Sequence, residues 1–115
     1  MTLVEVAWER ALGPPTASER IGDRHLRALL RGHGYLMNGG FEHLCLEDEA
    51  VSAFETAIAF FELDQLGQWL DAARERLDTG RPVGHWNRLY WSFGDQGLRA
   101  ETERVVAERR RMFAP

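Results

Sequence analysis

The stretch 47–61, with the sequence EDEAVSAFETAIAFF, has the most regular amphipathic pattern in the chain. Its apolar residues recur at the spacing i, i+3, i+4, i+7, i+8 and i+11, at Ala50, Ala53, Phe54, Ala57, Ile58 and Phe61. Because an α-helix has 3.6 residues per turn, these side chains share one face that neighbouring helices can bury. Glu47, Asp48 and Glu49 precede it, where the helix dipole favours negative charge. The stretch predicts a helix packed on other helices.

Downstream of this helix, the pattern predicts two more helices separated by a loop. After a break near residues 62–64, a helix carries the apolar residues Leu63, Leu66, Leu70, Ala73 and Leu77, and residues 79–82 (TGRP) end it. Residues 83–97 contain three glycines, at 84, 94 and 97. Because glycine disfavours a continuous helix, this segment is predicted to be a loop with one helical turn. Asp95 is the predicted N-cap of a last helix. Its expected buried side comprises Leu98, Thr102, Val105, Val106, the Arg109 stem and Phe113.

Upstream, the pattern predicts a short first helix and a longer second one. The first carries Leu3, Val6, Ala7 and Leu12 and ends at residues 13–15 (GPP). Thr16 and Glu19 have the spacing of a capping box that starts the second helix. The expected apolar stripe of that helix is Ile21, Leu26, Leu29, Leu30, His33, Leu36 and Met37, and Asn38-Gly39-Gly40 ends it as a C-cap. No strand pattern occurs, so residues 1–115 predict a single all-α domain of about five helices.

Charge is unevenly distributed along the chain. The net charge is −4, from 14 basic and 18 acidic residues, and every basic residue is Arg. Residues 32–73 hold eight acids and no Arg, whereas residues 74–115 hold nine Arg and six acids. This balance argues against direct nucleic-acid binding, which needs clustered positive charge. The acidic middle third predicts instead a basic protein partner.

The cysteine count and the apolar runs predict location and cofactor content. Cys45 is the single cysteine and can form no disulfide within the chain, and the first residues lack the apolar core of a signal peptide. No apolar run approaches the roughly 20 residues that span a bilayer. No paired Cys/His spacing of a zinc site occurs. We therefore expect a cytoplasmic protein, with no metal, cofactor or membrane association.

The segment 35–43, with the sequence YLMNGGFEH, carries a resemblance to a known family. Together with the acidic start and the Ala/Phe/Ile-rich helix that follow, it resembles small, mostly uncharacterised bacterial proteins named after a DNA-mimic protein, whose C-terminal domain they resemble. The resemblance covers residues 26–77 and rests mainly on Asn38, Gly39, Gly40 and Phe41. Family members usually continue with a Gln-aromatic pair and a second Asn, where this chain has residues 43–46 (HLCL).

The resemblance implies an α-helical domain without known catalytic residues. The namesake displays carboxylates in a phosphate-like array and occupies the DNA-binding surface of a transcription factor. The net charge of −4 departs from the composition of a heavily charged mimic. From the residues themselves, we interpret Asn38, Gly39, Gly40 and Phe41 as structural, because Gly supplies backbone freedom and Phe41 can anchor the chain in the core.

Candidate partner-binding residues form an acidic ridge on the fourth predicted helix. Turning by 100° per residue places Asp64, Asp71, Glu75 and Asp78 within a sector of about 60°, opposite the leucines. Their axial gaps of about 10.5, 6 and 4.5 Å exceed the roughly 3.4 Å spacing of phosphates along a DNA strand. The ridge, with Glu47, Asp48 and Glu49, predicts binding to a basic protein surface such as the DNA-binding face of a regulator. A solvated helix face and helix-dipole complementation are the alternatives.

Two further functional interpretations remain open. An interaction or immunity-type subunit would bind through the aromatic segment 86–93, and the many aromatics, Trp69 included, also allow a homodimer surface. Core filling is the alternative role for these rings. A small hydrolase would use His43, Cys45 and Glu47, but no orienting group or oxyanion loop is recognisable, so we predict no catalytic residue.

Overall fold

Helix α2 (Ile21–Cys45) lies at the centre of the structure and contacts every other helix. The computed structural model, which describes all 115 residues, contains α1 (Leu3–Leu12), α2, α3 (Asp48–Phe61), α4 (Asp64–Asp78), α5 (Gly84–Glu108) and a 3₁₀ turn (Arg110–Met112). The predicted all-α architecture of about five helices is confirmed. The radius of gyration is 14.1 Å, close to the roughly 13 Å expected for a domain of this length.

One hydrophobic core joins all five helices. Its largest fully buried apolar side chains are Phe41, Phe54, Phe61, Tyr90 and Phe113, together with leucines of α2, α4 and α5. Helix α3 supplies the predicted face, except that Ala53 is only partly buried and Val51 is buried as well. Gly32 of α2 lies against Phe54, and a Cβ there would overlap the ring. Close contact of α2 with α3 therefore depends on a residue without a side chain.

The start of α2 corrects the predicted capping box. Residues 16–19 form no helix, and Glu19 pairs with Arg27 instead. The Asp23 carboxylate accepts the backbone N–H of Arg20 at 3.0 Å and that of Ala114 at 2.8 Å, so α2 begins at Ile21. Asp23 caps α2 in place of Thr16 and Glu19. It lies at the third helical position, and its contact with Ala114, far away in sequence, fixes its carboxylate.

Helix α1 has the predicted bounds but presents a different face. Val4, Ala7, Trp8 and Ala11 are buried, whereas Leu12 is exposed. The Trp8 indole N–H donates to Thr102 Oγ1 at 3.1 Å, which fixes the rotation of α1 on α5. Ile21 and Met37 were also expected in the core and are exposed.

Residues 84–97 are helical except at Gly94, so the predicted loop with one helical turn is wrong. Helix α5 begins at Gly84 and is interrupted only at Gly94, where φ is 50°. Each glycine weakens a helix by about 1 kcal/mol, but burial of a large side chain such as Tyr90 offsets such a penalty. The predicted N-cap, Asp95, begins the second half of the helix, and its carboxylate binds the side chain of His33.

Asn38-Gly39-Gly40, which was predicted to end α2, interrupts the helix at one residue only, Gly40. Gly40 has φ 74° and ψ −170°, and the chain returns to helical conformation at Phe41. The predicted C-cap does not end the helix there, since residues 41–45 form a further helical turn before α3. The bend directs this turn into the core, where Phe41 is fully buried.

Candidate functional site

The acidic ridge of α4 lies on the outer surface of the molecule. Asp64, Asp71, Glu75 and Asp78 are all exposed, and the opposite face of the helix buries Leu66, Leu70 and Ala73. The ridge is not uniform along its length. Glu75 lines a depression with Arg76 and Arg81, whereas Asp64 and Asp71 lie toward α3.

A groove between α3 and α4 brings acids of both helices together. Glu55 of α3 and Asp64 and Asp71 of α4 line a cavity of about 490 Å³. Gly67 forms part of its wall, and a Cβ there would stand 3.5 Å from Ile58, so the two helices are in ordinary contact below the groove. Glu55 was not singled out in the sequence, because its proximity to α4 depends on how the two helices pack.

Asp48 extends this acidic surface along α3. It lines an adjoining depression with Cys45, Ser52, Glu55 and Arg74. The Arg74 guanidinium lies 2.5 Å from a Glu55 carboxylate oxygen and is the single basic side chain lining either depression. We call Asp48, Glu55, Asp64 and Asp71 the α3–α4 acidic face. Glu47 and Glu49 are exposed beside the start of α3 and line neither depression.

The Asn38–Phe41 motif lies at the bend of α2, away from this face. Asn38 and Gly39 are exposed, whereas Gly40 and Phe41 are buried. The Phe41 backbone N–H donates to Oδ1 of Asn87 on α5 at 2.8 Å. Asn87 Nδ2 donates to Glu42 Oε1 at 2.6 Å, so this buried amide caps the restarted helix from another element. No local signal in the sequence points to Asn87 as a functional residue.

The surroundings of His43, Cys45 and Glu47 do not favour the hydrolase interpretation. The His43 ring packs edge-on against Tyr35, with 5.1 Å between ring centroids. Burial raises the pKa of the Cys45 thiol; the positive charge of Arg74 opposes this, and the charges of Asp78, Glu42 and Glu55 reinforce it. A catalytic thiol needs a lowered pKa, because the thiolate is the nucleophile. Glu47 is exposed.

The aromatic segment 86–93 is mostly packed against the protein. Tyr90 is fully buried, Trp86 and Phe93 are half-buried, and Trp91 is 45% exposed. The indole N–H of Trp91 donates to the Leu36 carbonyl oxygen at 2.8 Å, which holds the ring against α2. Core filling therefore accounts for most of these rings, and Trp91 is the member that presents a large apolar surface to solvent.

A polar cluster that the sequence did not indicate connects α2 and α5. His33 is buried, with Nδ1 2.5 Å from the Tyr90 hydroxyl and Nε2 bonded to the exposed carboxylate of Asp95. Burial, with a smaller contribution from the negative charge of Asp95, raises the pKa of the Tyr90 phenol. Arg99 lies over the Trp8 ring at 4.8 Å and lines a neighbouring cleft of about 510 Å³ with His33.

Comparison with known protein families, with curated proteins and with solved structures found no match for the chain. The resemblance over residues 26–77 therefore stays a prediction. None of the helices combines the length and apolar character needed to cross a membrane. No group of three or more His, Cys, Asp or Glu side chains is arranged to hold a metal ion.

Proposed function

We propose that this protein is a non-catalytic interaction module whose α3–α4 acidic face binds the basic surface of a partner protein. One observation carries the proposal: Glu55 of α3 and Asp64 and Asp71 of α4 line the same groove. Arg74 offsets only part of their charge. A groove with acids on both walls can contact a basic side chain from two sides, which a single ridge cannot do.

The partner class that we propose is a DNA-binding regulator. Its DNA-binding surface carries Arg and Lys side chains that otherwise contact phosphates, so the acidic face would compete with DNA for them. Each exposed charge pair contributes little affinity, and complementary charge acts mainly on the association rate. The proposal includes a cytoplasmic location, in keeping with a single cysteine that can form no disulfide within the chain.

Affinity capture at two salt concentrations tests this proposal. The face variant carries Glu55→Gln, Asp64→Asn and Asp71→Asn. The control variant carries Glu9→Gln, Glu103→Gln and Glu108→Gln, which removes three exposed carboxylates elsewhere. We expect the wild type and the control to capture a DNA-binding protein at about 50 mM salt and to release it at about 500 mM, because screening weakens exposed charge pairs.

The face variant should capture much less of that protein, and duplex DNA should displace the partner from the wild type. Equal capture by the face variant and the wild type would overturn the proposal. Both variants must first give the wild-type circular dichroism spectrum and thermal midpoint, which we expect because exposed charge substitutions usually change stability little.

A second candidate function is binding through Trp91, as in an interaction or immunity-type subunit. Trp91 is 45% exposed, and Met37, which follows the Leu36 carbonyl that holds the indole, is 41% exposed. Binding at this patch would be insensitive to salt and lost in Trp91→Ala. The patch also suits a homodimer, which light scattering at high micromolar concentration would detect. The Cys/His hydrolase is the least supported alternative, because burial raises the pKa of Cys45, whereas a nucleophilic thiol needs a lowered pKa.

A further inference from the structure

A cavity of about 400 Å³ opens between α4 and α5, beside the α3–α4 acidic face. Its wall is formed by Leu63, Leu66, Trp69 and Phe93, and its rim by Glu62, Asp64, Gln65 and Glu101. Its volume is near the lower end of the roughly 300–1,000 Å³ found for ligand pockets. Asp64 lines both this cavity and the α3–α4 groove, so the two sites adjoin.

The aromatic wall can receive a cation. Trp69 and Phe93 pack edge to face, with 5.9 Å between ring centroids and 82° between ring planes, and both rings are only partly buried. The face of an indole ring attracts a guanidinium or ammonium group that lies within about 6 Å of its centroid. No Arg of this chain lies over Trp69 or Phe93.

Elsewhere, the protein places its own arginines on aromatic rings that are buried or partly buried. Arg99 covers Trp8 at 4.8 Å, and Arg76 covers Trp86 at 5.0 Å. Three aromatic rings, the third being Phe60 with Arg109 at 5.1 Å, therefore have an internal cation. Trp69 differs, because the charged residues that surround its cavity are all acidic.

The rim supplies negative charge that the protein neutralises only in part. A guanidinium nitrogen of Arg109 lies 3.5 Å from Glu62, whereas Asp64 and Glu101 form no ion pair. No basic residue lines the cavity. Unlike a cluster of carboxylates alone, this site is concave and has aromatic and aliphatic walls, so it can hold the stem of a long cationic side chain as well as its charge.

We infer that this cavity binds an arginine side chain of the partner protein. The inference rests on the proposed function and deepens it, since the cavity would anchor the basic surface that the acidic face attracts. The guanidinium would stack on Trp69 and contact Asp64 and Glu101, while the aliphatic stem would pack on Leu63 and Leu66. Buried aromatic and Arg anchors typically contribute most of the affinity of an interface.

Arginine fits this site better than lysine for two reasons. Its planar guanidinium stacks on an aromatic face and donates to a carboxylate at its edge at the same time, which a compact ammonium cannot do. Guanidinium is also the more weakly hydrated of the two cations, so it enters a partly apolar cavity more readily.

The test is an NMR titration of the four indole N–H signals with small probes. Acetyl-arginine amide should shift the Trp69 signal with a Kd on the order of millimolar. Nα-acetyl-citrulline amide, the uncharged counterpart, should shift that signal much less. Nα-acetyl-lysine amide, whose side-chain ammonium is free, should bind several-fold more weakly than the arginine probe. Trp69→Phe assigns the signal.

Two exposed substitutions on α5 provide the matched comparison. Glu101→Gln should weaken binding of the arginine probe several-fold, whereas Glu103→Gln, two residues away, should leave it unchanged. Both side chains are exposed, so neither change should affect folding. Equal shifts with arginine and citrulline, or no shift of the Trp69 signal, would overturn the inference. A Trp69 shift that depends on protein concentration alone would also overturn it, by assigning the cavity to a second copy of this chain.

The result is separable from that of the capture experiment. If the face variant still captures the partner while the arginine probe shifts Trp69, the proposed function fails and the arginine pocket stands. If the face variant loses the partner but the probe leaves Trp69 unmoved, the proposed function stands and the pocket assignment fails.

Discussion

At the residue scale, Gly40 is the position that decides the path of the chain. Its φ of 74° with ψ of −170° belongs to a region that glycine alone adopts readily. A Cβ there would stand 2.5 Å from Asn87 Nδ2, the amide whose oxygen accepts the Phe41 N–H. The bend of α2 and its cap from α5 therefore depend on the same missing side chain.

We predict that Gly40→Ala destabilises the protein by at least about 2 kcal/mol, through backbone strain and overlap with Asn87. Gly34→Ala is the matched control, because a Cβ at this helical position meets no atom within 4 Å. It should stabilise the protein by up to about 1 kcal/mol. Urea unfolding measures both, and equal midpoints for the two variants would contradict this account of Gly40.

At the element scale, Arg27 of α2 holds the end of α1. Its guanidinium donates to the carbonyl oxygens of Arg10, Ala11 and Gly13 and pairs with Glu19. These carbonyls belong to the last turn of a helix and the residue after it, where no helical partner remains. A side chain from a second helix thus caps the carbonyl end of the first, so capping and helix packing form together.

We predict that Arg27→Lys destabilises the protein by about 1.5–3 kcal/mol, because an ammonium cannot reach all of these acceptors from one position. Arg31→Lys, one turn further along α2, removes an exposed guanidinium and should change stability by less than about 0.5 kcal/mol. Thermal unfolding of the two variants checks this. The role assigned to Arg27 is wrong if both melt together with the wild type.

At the scale of the whole molecule, the absence of lysine leaves few groups that titrate in alkali. Arginine stays charged above pH 12, so one cysteine and two tyrosines are the side chains whose ordinary pKa values lie between about 8 and 12. Burial raises the pKa of Tyr90 and of Cys45. When the pH exceeds the ordinary pKa of these two groups, they lose their protons in the unfolded chain but keep them in the folded protein. The free energy of unfolding therefore falls as the pH rises.

We predict that the stability of the wild type decreases between pH 10 and 11.5, with a Tyr90 contribution of up to about 1.4 kcal/mol per pH unit. Tyr90→Phe should be less stable than wild type at pH 8, because it loses the bond to His33. Its deficit should shrink as the pH approaches 11.5. Urea unfolding across this range measures the effect, with Cys45→Ser separating the thiol. Parallel curves for wild type and Tyr90→Phe would refute the assignment.

Much of the fold was predictable because apolar periodicity is a local property. The bounds of α1 and α3, the break at residues 62–64 and the buried side of the last helix, including Leu98 and Val105, all follow from spacing and breakers. The helix over residues 84–93 could not be predicted from local spacing, because burial of Tyr90 and Asn87 offsets the cost of its glycines. The start of α2 depends on Asp23 meeting Ala114, far away in sequence.

The candidate sites also divide into features that local spacing predicts and features that depend on contacts between distant parts of the chain. The sequence by itself determined an all-α protein with exposed acids on α4, since exposure follows from lying opposite a buried stripe. Only the tertiary structure decided that Glu55 joins Asp64 and Asp71, that Asn87 caps Phe41, and that Trp69 and Phe93 enclose a cavity. The physical reason is that periodicity fixes which face of a helix is buried, whereas side-chain volumes and long-range polar contacts fix which helices meet and at what rotation.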